Sequence, residues 1–216
     1  MPPVVSILQN GISNVGSVCN ALRFLNLPFE VITDADGLKR AKILIFPGVG
    51  AFGAAMTQLN ENGLTDVLKQ KIVGDKIPFL GICLGLQLLF ESSEESAGVT
   101  GLGIFKGSVR RLTEKTPEFR VPNIGWCELF SSSTYSSTST SSILSSALHQ
   151  SVYFVHSFSA DPSDRSIVSS QAQHTQPFVA SIAQDNIQAL QFHPEKSGTV
   201  GLGLLKNFVQ WNHHGF

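Results

Sequence analysis

Cys83, His193 and Glu195 are the three side chains whose types and positions can do chemistry together. The cysteine stands in GICLG (81–85), where the apolar run IPFLGI ends. A nucleophile held between glycines at a strand-to-helix turn is forced into a sharp bend that exposes its side chain. A helix starting there would favour thiolate over thiol. Read locally, the pattern leaves two readings open, because an unpaired cysteine is among the most buried residue types and most often fills core space. The missing partners lie far downstream in LQFHPEKS (190–197). His193 ends an apolar strand and Glu195 follows two residues later, so in an extended segment their side chains leave on one side. Glu195 can then fix the imidazole tautomer while the other ring nitrogen takes the thiol proton. A lone histidine at a strand end is an ordinary surface residue. With Cys83 it completes a Cys–His–Glu triad suited to acyl transfer.

Such a reaction needs two donors for the developing oxyanion. The N–H of Leu84, directly after the cysteine, is one candidate. Val49 or Gly50, in the loop FPGVGAFG (46–53), supplies the other. That loop lacks the Lys-Ser/Thr ending of a phosphate loop and the spacing of a dinucleotide fingerprint. Taken alone it reads as a plain turn.

The elements that must position these residues alternate in the first half. VVSIL (4–8), FEVIT (29–33), AKILIF (41–46) and IPFLGI (77–82) read as strands, with a helix over 15–25 and another from the glycine loop to about Lys71. Met56, Leu59, Leu64 and Leu68 form the apolar stripe of the latter. Near-continuous apolar strands suit a parallel sheet covered on both faces. The expectation is therefore an α/β fold with a doubly wound, mostly parallel, flavodoxin-like central sheet. The second half adds short, antiparallel or mixed strands at 107–112, 152–158, 166–171, 177–183 and 187–192, then a last helix over 200–211. One domain, 1–216, is expected. Residues 131–142, all Ser or Thr except Tyr135, read as a solvated flexible loop within it.

Composition narrows the setting. With 15 Lys+Arg against 16 Asp+Glu there is no electrostatic footprint for nucleic acid. Charged residues make up 14% of the chain, against about 25% in typical soluble domains. This leans toward a surface partly hidden against a partner, although the serine content accounts for it equally well. Cys19, Cys83 and Cys127 offer no disulfide framework or zinc spacing, so no metal is expected and the setting is read as reducing and cytoplasmic. Neither a signal peptide nor a membrane span is expected.

GICLGLQLLFESSEE, FPGVGAFG, GLGIFKGSVRRL, VYFVHSF and LQFHPEKSGTVGLGLLKNF together resemble the class I, triad-type glutamine amidotransferases. LLFESSEE after the elbow, with FVHSF and HPEKS, makes the chain similar more narrowly to the glutaminase subunits of imidazole glycerol phosphate synthases, of histidine biosynthesis. The resemblance runs from about Asn10 to the last helix, leaving out the Ser/Thr tract. It implies that Cys83 attacks the side-chain amide of L-glutamine, that His193 serves as base and then acid, and that Glu195 orients it, without a cofactor. It implies glutamine contacts from Gln87, His156, Ser157 and Phe158, with Glu95 meeting the α-ammonium. Glu91 and Glu94 are read instead as a solvated helix end. It further implies a heterodimer with a TIM-barrel cyclase subunit that receives the ammonia, with Trp126, Tyr153 and Lys196 at the interface. The Gly48–Val49 peptide would be a switch between idle and active oxyanion sites. For Trp126 and Tyr153 an ordinary packed aromatic is the competing reading.

The chain departs from that pattern at Ser13, which replaces a glycine, and at Asn123 and Cys127, where His and Asn are usual. It departs again at Phe158, where an aromatic hydroxyl is commoner. None of these touches the triad. Two other readings stand beside the first: another class I subunit, of the anthranilate or pyridoxal phosphate type, and a non-catalytic scaffolding relative. The glutamate-rich stretch after the elbow speaks against the former and the complete triad against the latter.

Overall fold

The computed structural model describes residues 4–11, 14–113, 120–133 and 143–211. Residues 134–142 of the Ser/Thr tract, and Ser13, lie outside them. Five strands lie parallel in the order β2-β1-β3-β4-β13: β1 (Val5–Leu8), β2 (Phe29–Ile32), β3 (Leu44–Gly48), β4 (Phe79–Cys83) and β13 (Ile187–Leu190). This is the flavodoxin-type order. Beyond β13 the sheet continues antiparallel through β12 (Pro177–Gln184), β11 (Val168–Gln173) and β8 (Phe130–Ser131).

Alternation along the inner strands sends side chains to two cores. Leu44, Phe46 and Phe79 pack on one face with Phe52, Met56, Leu59 and Leu68. Ile43, Ile45, Leu80 and Ile82 pack on the other with Val18, Leu22, Leu204 and Phe208. Helices α3 (Phe52–Glu61) and α4 (Thr65–Lys69) therefore cover one side, and α1 (Val15–Phe24) and α6 (Gly198–Trp211) the other. The remaining helices are α2 (Ala35–Arg40) and the single turn α5 (Leu84–Gln87).

Three differences from the sequence reading have local causes. The helix expected to run to Lys71 breaks after Glu61. Gly63 takes φ +63°, and the Leu64 and Gly63 amides close on the Leu59 and Asn60 carbonyls, a glycine-terminated cap. A π-helical turn follows α4 over Gln70–Gly74. The strand expected over 152–158 is two strands, split at Ser157. Ahead of it β9 (Ser151–His156) pairs with β7 (Asn123–Glu128) as a separate ribbon. Behind it β10 (Phe158–Pro162) joins β6 (Gly107–Arg111) and β5 (Ser92–Ser93) in a small sheet. The segment after GICLG forms only the one turn α5. No described helix is long and apolar enough to cross a membrane.

The turn at α5 sits directly on β3. A Cβ added at Gly85 would lie 2.0 Å from the Phe46 carbonyl oxygen, and one at Gly48 would lie 2.8 Å from Leu84 Cβ. Gly85→Ala is therefore expected to destabilise the fold by about 3 kcal/mol or more, as overpacking against backbone does. Gly203→Ala in α6, with nothing within 4 Å of the added Cβ, should stabilise it by about 0.5–1 kcal/mol. Urea unfolding of the two variants measures the contrast.

Candidate active site

Cys83 is the last residue of β4 and takes φ +54° and ψ −106°. A non-glycine residue there is strained, and its neighbours leave it no alternative. Gly81 and Gly85 let the turn double back, since a Cβ at Gly81 would meet the Gly85 carbonyl oxygen at 2.8 Å. Cys83 as a whole is 7% exposed. Because α5 is a single turn, the support for a thiolate expected from a helix N-terminus reduces to the free amides of that turn. Sγ instead accepts from Gln191 Nε2 at 3.6 Å, and lies 4.0 Å from the Val155 carbonyl oxygen.

His193 and Glu195 meet as expected but by a different route. Pro194–Lys196 is a 3-10 turn, not an extended segment, and it curls Glu195 back under the ring. Nδ1 donates to Glu195 Oε1 at 2.7 Å, with the two side chains 2% and 1% exposed. The His193 backbone is pinned as well, its N–H donating to the Tyr153 carbonyl and its carbonyl accepting from Ser197 Oγ. Nε2 is buried with no hydrogen-bond partner among the described residues, yet Cys83 is close enough to act on it electrostatically. Burial resists the imidazolium, but Cys83 and Glu195 together outweigh it and push the His193 pKa up to about 10.

One cavity of about 240 Å³ is lined by Cys83, Leu84, His193, Val49, Gly50, Gln87, Glu95, His156, Ser157 and Phe158, together with Val155. Every residue the sequence pointed to for triad, oxyanion or substrate contacts thus lies on this wall, apart from Glu195, which stands behind His193. Glu95 Oε2 accepts from the Phe52 N–H at 2.7 Å, and Ser96 Oγ accepts from Gly53. The pair caps α3 from outside and ties the glycine loop to the segment after the elbow. Glu91 and Glu94 are exposed, as expected, but they lie beyond the single turn α5 rather than at a helix end. Their carboxylates accept the Gly107 and Arg111 amides and hold the small sheet in place. His156 is neutral: burial, reinforced by His174 and His193 and opposed by its bond to Phe158, sets its pKa at about 4. Nδ1 lies 2.9 Å from the Phe158 carbonyl and so donates to it, leaving Nε2 to accept from Asn123.

Trp126, Tyr153 and Lys196 do not line the cavity. Trp126 and Tyr153 form a patch on the β7–β9 ribbon, with Lys196 of the adjoining 3-10 turn over it. Trp126 is 57% exposed and stands edge-on to Tyr153 at 6.0 Å, with Lys196 Nζ 5.8 Å from the Tyr153 ring. Trp126 is therefore not an ordinary packed aromatic. Gln191 and Val155 are not singled out by the sequence, and Asn123 is marked there only as a departure from the family pattern. The signal for Gln191 was a polar residue inside the apolar run IQALQF; Val155 acts through its backbone, which leaves no trace in side-chain type. Asn123 and Cys127, two departures from the family pattern, touch each other through amide and sulfur at 3.8 Å. Among the described residues no group of three or more His, Cys, Asp or Glu side chains could hold a metal ion.

Comparison with known proteins places this geometry in context. Residues 6–211 match the profile of the family described as Glutamine amidotransferase class-I. The chain is 45% identical over 208 residues to the chloroplastic imidazole glycerol phosphate synthase hisHF of Arabidopsis thaliana. That match covers 95% of this chain but 34% of the relative, so the chain spans about a third of that protein's length. It is 43% identical to the imidazole glycerol phosphate synthase subunit hisH of Cyanophora paradoxa, over 97% of this chain and 94% of that one. Among solved structures it is similar to that of PurLQS from Thermotoga maritima, with a TM-score of 0.71 at 16% identity, covering 98% and 100% of the two chains. At that identity the likeness concerns the fold.

The two site histidines bend the pH dependence of stability in opposite directions. His156 stays neutral in the fold, so its contribution is present above its unfolded value of about 6.5 and is lost as pH falls toward about 4. His193 stays charged, so its contribution is present below about 6.5 and is lost as pH rises through about 10. Stability should peak near pH 6.5. Between pH 6.5 and 4.5 the native chain should lose about 2 kcal/mol more than His156→Phe does, read from urea midpoints.

Proposed function

The chain belongs to the class-I glutamine amidotransferases and, within them, to the group of imidazole glycerol phosphate synthase HisH subunits. On that premise we propose that it hydrolyses L-glutamine to glutamate and ammonia through Cys83, His193 and Glu195, passing the ammonia to a cyclase partner. The observation that carries this reading is the buried His193–Glu195 pair, whose Nε2, without a hydrogen-bond partner among the described residues, shares one small cavity with a strained, glycine-flanked cysteine.

In the proposed cycle the Cys83 proton already rests on the charged His193, and Sγ bonds to the side-chain amide carbon of glutamine. The amides of Leu84 and of Val49 or Gly50 hold the oxyanion. The C–N bond then breaks, with His193 returning the proton to the leaving ammonia. Water attacks the γ-glutamyl thioester, giving its proton to His193, and the C–S bond breaks as glutamate leaves, restoring the charged His193 beside the sulfur. Glu195 holds the tautomer that this requires and stabilises the imidazolium. Glu95 supplies the anionic contact for the substrate ammonium. Gln87 and the Ser157–Phe158 backbone supply neutral polar contacts, a division suited to a zwitterion. Gly48 leaves the glycine loop free to rest against Leu84, and the Gly48–Val49 peptide is the proposed on–off switch.

The partner surface is the exposed patch around Trp126 and Ile124, which is 61% exposed, with Tyr153 and Lys196 beside it. A TIM-barrel cyclase there would take up ammonia to form imidazole glycerol phosphate and aminoimidazole carboxamide ribotide. About two thirds of the Arabidopsis relative lies outside the match, room for a second catalytic unit on the same chain. The unpaired Cys19, Cys83 and Cys127 suit a reducing cytoplasm.

Mixing the purified chain with a histidine-pathway cyclase and its nucleotide substrate should stimulate glutamate release. Cys83→Ala should abolish it, and Glu195→Gln should lower it by about 10²–10⁴-fold. Equally fast release from the chain alone would sink the partner-coupled reading. Glu95→Gln keeps an acceptor for the Phe52 amide while removing the charge. It should raise KM for glutamine about tenfold with little change in kcat. A change confined to kcat would mean that Glu95 acts only as the cap of α3.

A further inference from the structure

Gln191 is fully buried, polar and outside the cavity wall. It directly follows β13, whose Leu190 lies in register with Ile82, so it stands beside Cys83 across the strand pair. Its backbone N–H is held by the Ala180 carbonyl at 2.8 Å. The orientation of its side chain follows from one fixed acceptor. The Phe158 carbonyl can only accept, so Gln87 must turn Nε2 toward it, at 3.0 Å. The same nitrogen lies 3.1 Å from Gln191 Oε1, so that end of Gln191 is the acceptor. The other end, Nε2, is then obliged to face Cys83 Sγ, at 3.6 Å.

We propose that Gln191 is a positioning residue for the nucleophile of the proposed glutaminase, presenting an amide N–H to Cys83 Sγ in an orientation enforced through Gln87 by the Phe158 carbonyl. A donor aimed at sulfur stabilises its anionic form and is indifferent to bound glutamine. The titratable groups that also face the sulfur or its cavity are His193, with Glu195 behind it, His156 and Glu95. Gln191 thus acts on the sulfur from behind the cavity wall. Because Gln87 lines the cavity and anchors Gln191, the same strap joins the substrate pocket to the thiol.

The test is iodoacetamide alkylation of Cys83 in the full chain across pH, resolved from Cys19 and Cys127 by mass spectrometry. Gln191→Met removes the donor with little change in volume. Gln191→Glu keeps the acceptor for Gln87 but turns an oxygen toward sulfur. The pH of half-maximal alkylation should rise by about one unit in Gln191→Met and at least as far in Gln191→Glu. Partner-stimulated kcat should fall about tenfold in both variants, with KM unchanged in Gln191→Glu, which keeps the acceptor for Gln87. A midpoint that does not move in Gln191→Met, whatever happens to stability, overturns the assignment, and this variant decides if Gln191→Glu does not fold. Alkylation requires no turnover. A shifted midpoint without glutamine hydrolysis would therefore overturn the proposed function and leave the role of Gln191 standing.

Discussion

Backbone lies on backbone where the turn after Cys83 crosses β3. The Phe46 carbonyl comes so close to Gly85 that no side chain fits between them, and Gly48 approaches Leu84 in the same way. This contact forces the chain to leave β4 through a positive φ at Cys83 and holds the thiol at the carboxyl edge of the sheet. It also sets the glycine loop beside the thiol, because β3 and β4 are paired up to Gly48 and Cys83. Two strand ends and one turn are thereby brought to a single point, and β13, the next strand across, delivers His193 to it.

Around that point the polar groups are buried, and their burial is tolerable only because nearly every one is tied. Glu195 and His193 satisfy each other and are held by a short turn. His156 is spent on Phe158 and Asn123. Gln87 bridges Phe158 and Gln191. What stays unpaired there among the described residues is Nε2 of His193, which faces the cysteine's cavity, and the second carboxylate oxygen of Glu195. Two histidines lining the same cavity are driven to opposite charge states, one by neighbours that favour the cation and the other by burial that forbids it. Environments that push like groups apart in pKa are a mark of assigned roles in proton transfer.

The carboxylates after the elbow show how a local reading can find the right residues and miss their work. Glu95 lines the cavity, but it also caps α3 through Phe52, which sequence spacing could not reveal. Glu91 and Glu94 read as a solvated helix end and are indeed exposed, yet they also hold the amides of β6, 16 and 17 residues further along the chain. The helix past Gly63 failed for a different reason. The apolar stripe was correct, since Met56, Leu59, Leu64 and Leu68 are all buried, but periodicity does not register a cap that lets the stripe continue on a second, separate helix.

Sequence alone determined the alternation of strands and helices, the two-sided burial of the inner strands, and the trio of Cys83, His193 and Glu195. These follow from short-range rules: apolar period, glycine flanks, and the spacing of residues within a few positions of each other. Whether Cys83 was packing or nucleophile remained open at that level, because the answer depends on groups more than a hundred residues away. Only the tertiary structure bears on it, by closing β13 against β4 and so placing a buried, oriented imidazole at the cysteine's cavity, which is what supports the proposed nucleophile. The same closure put Gln191 against the sulfur. Its hydrogen bonds run entirely between segments distant in the chain, so no local pattern could have announced them.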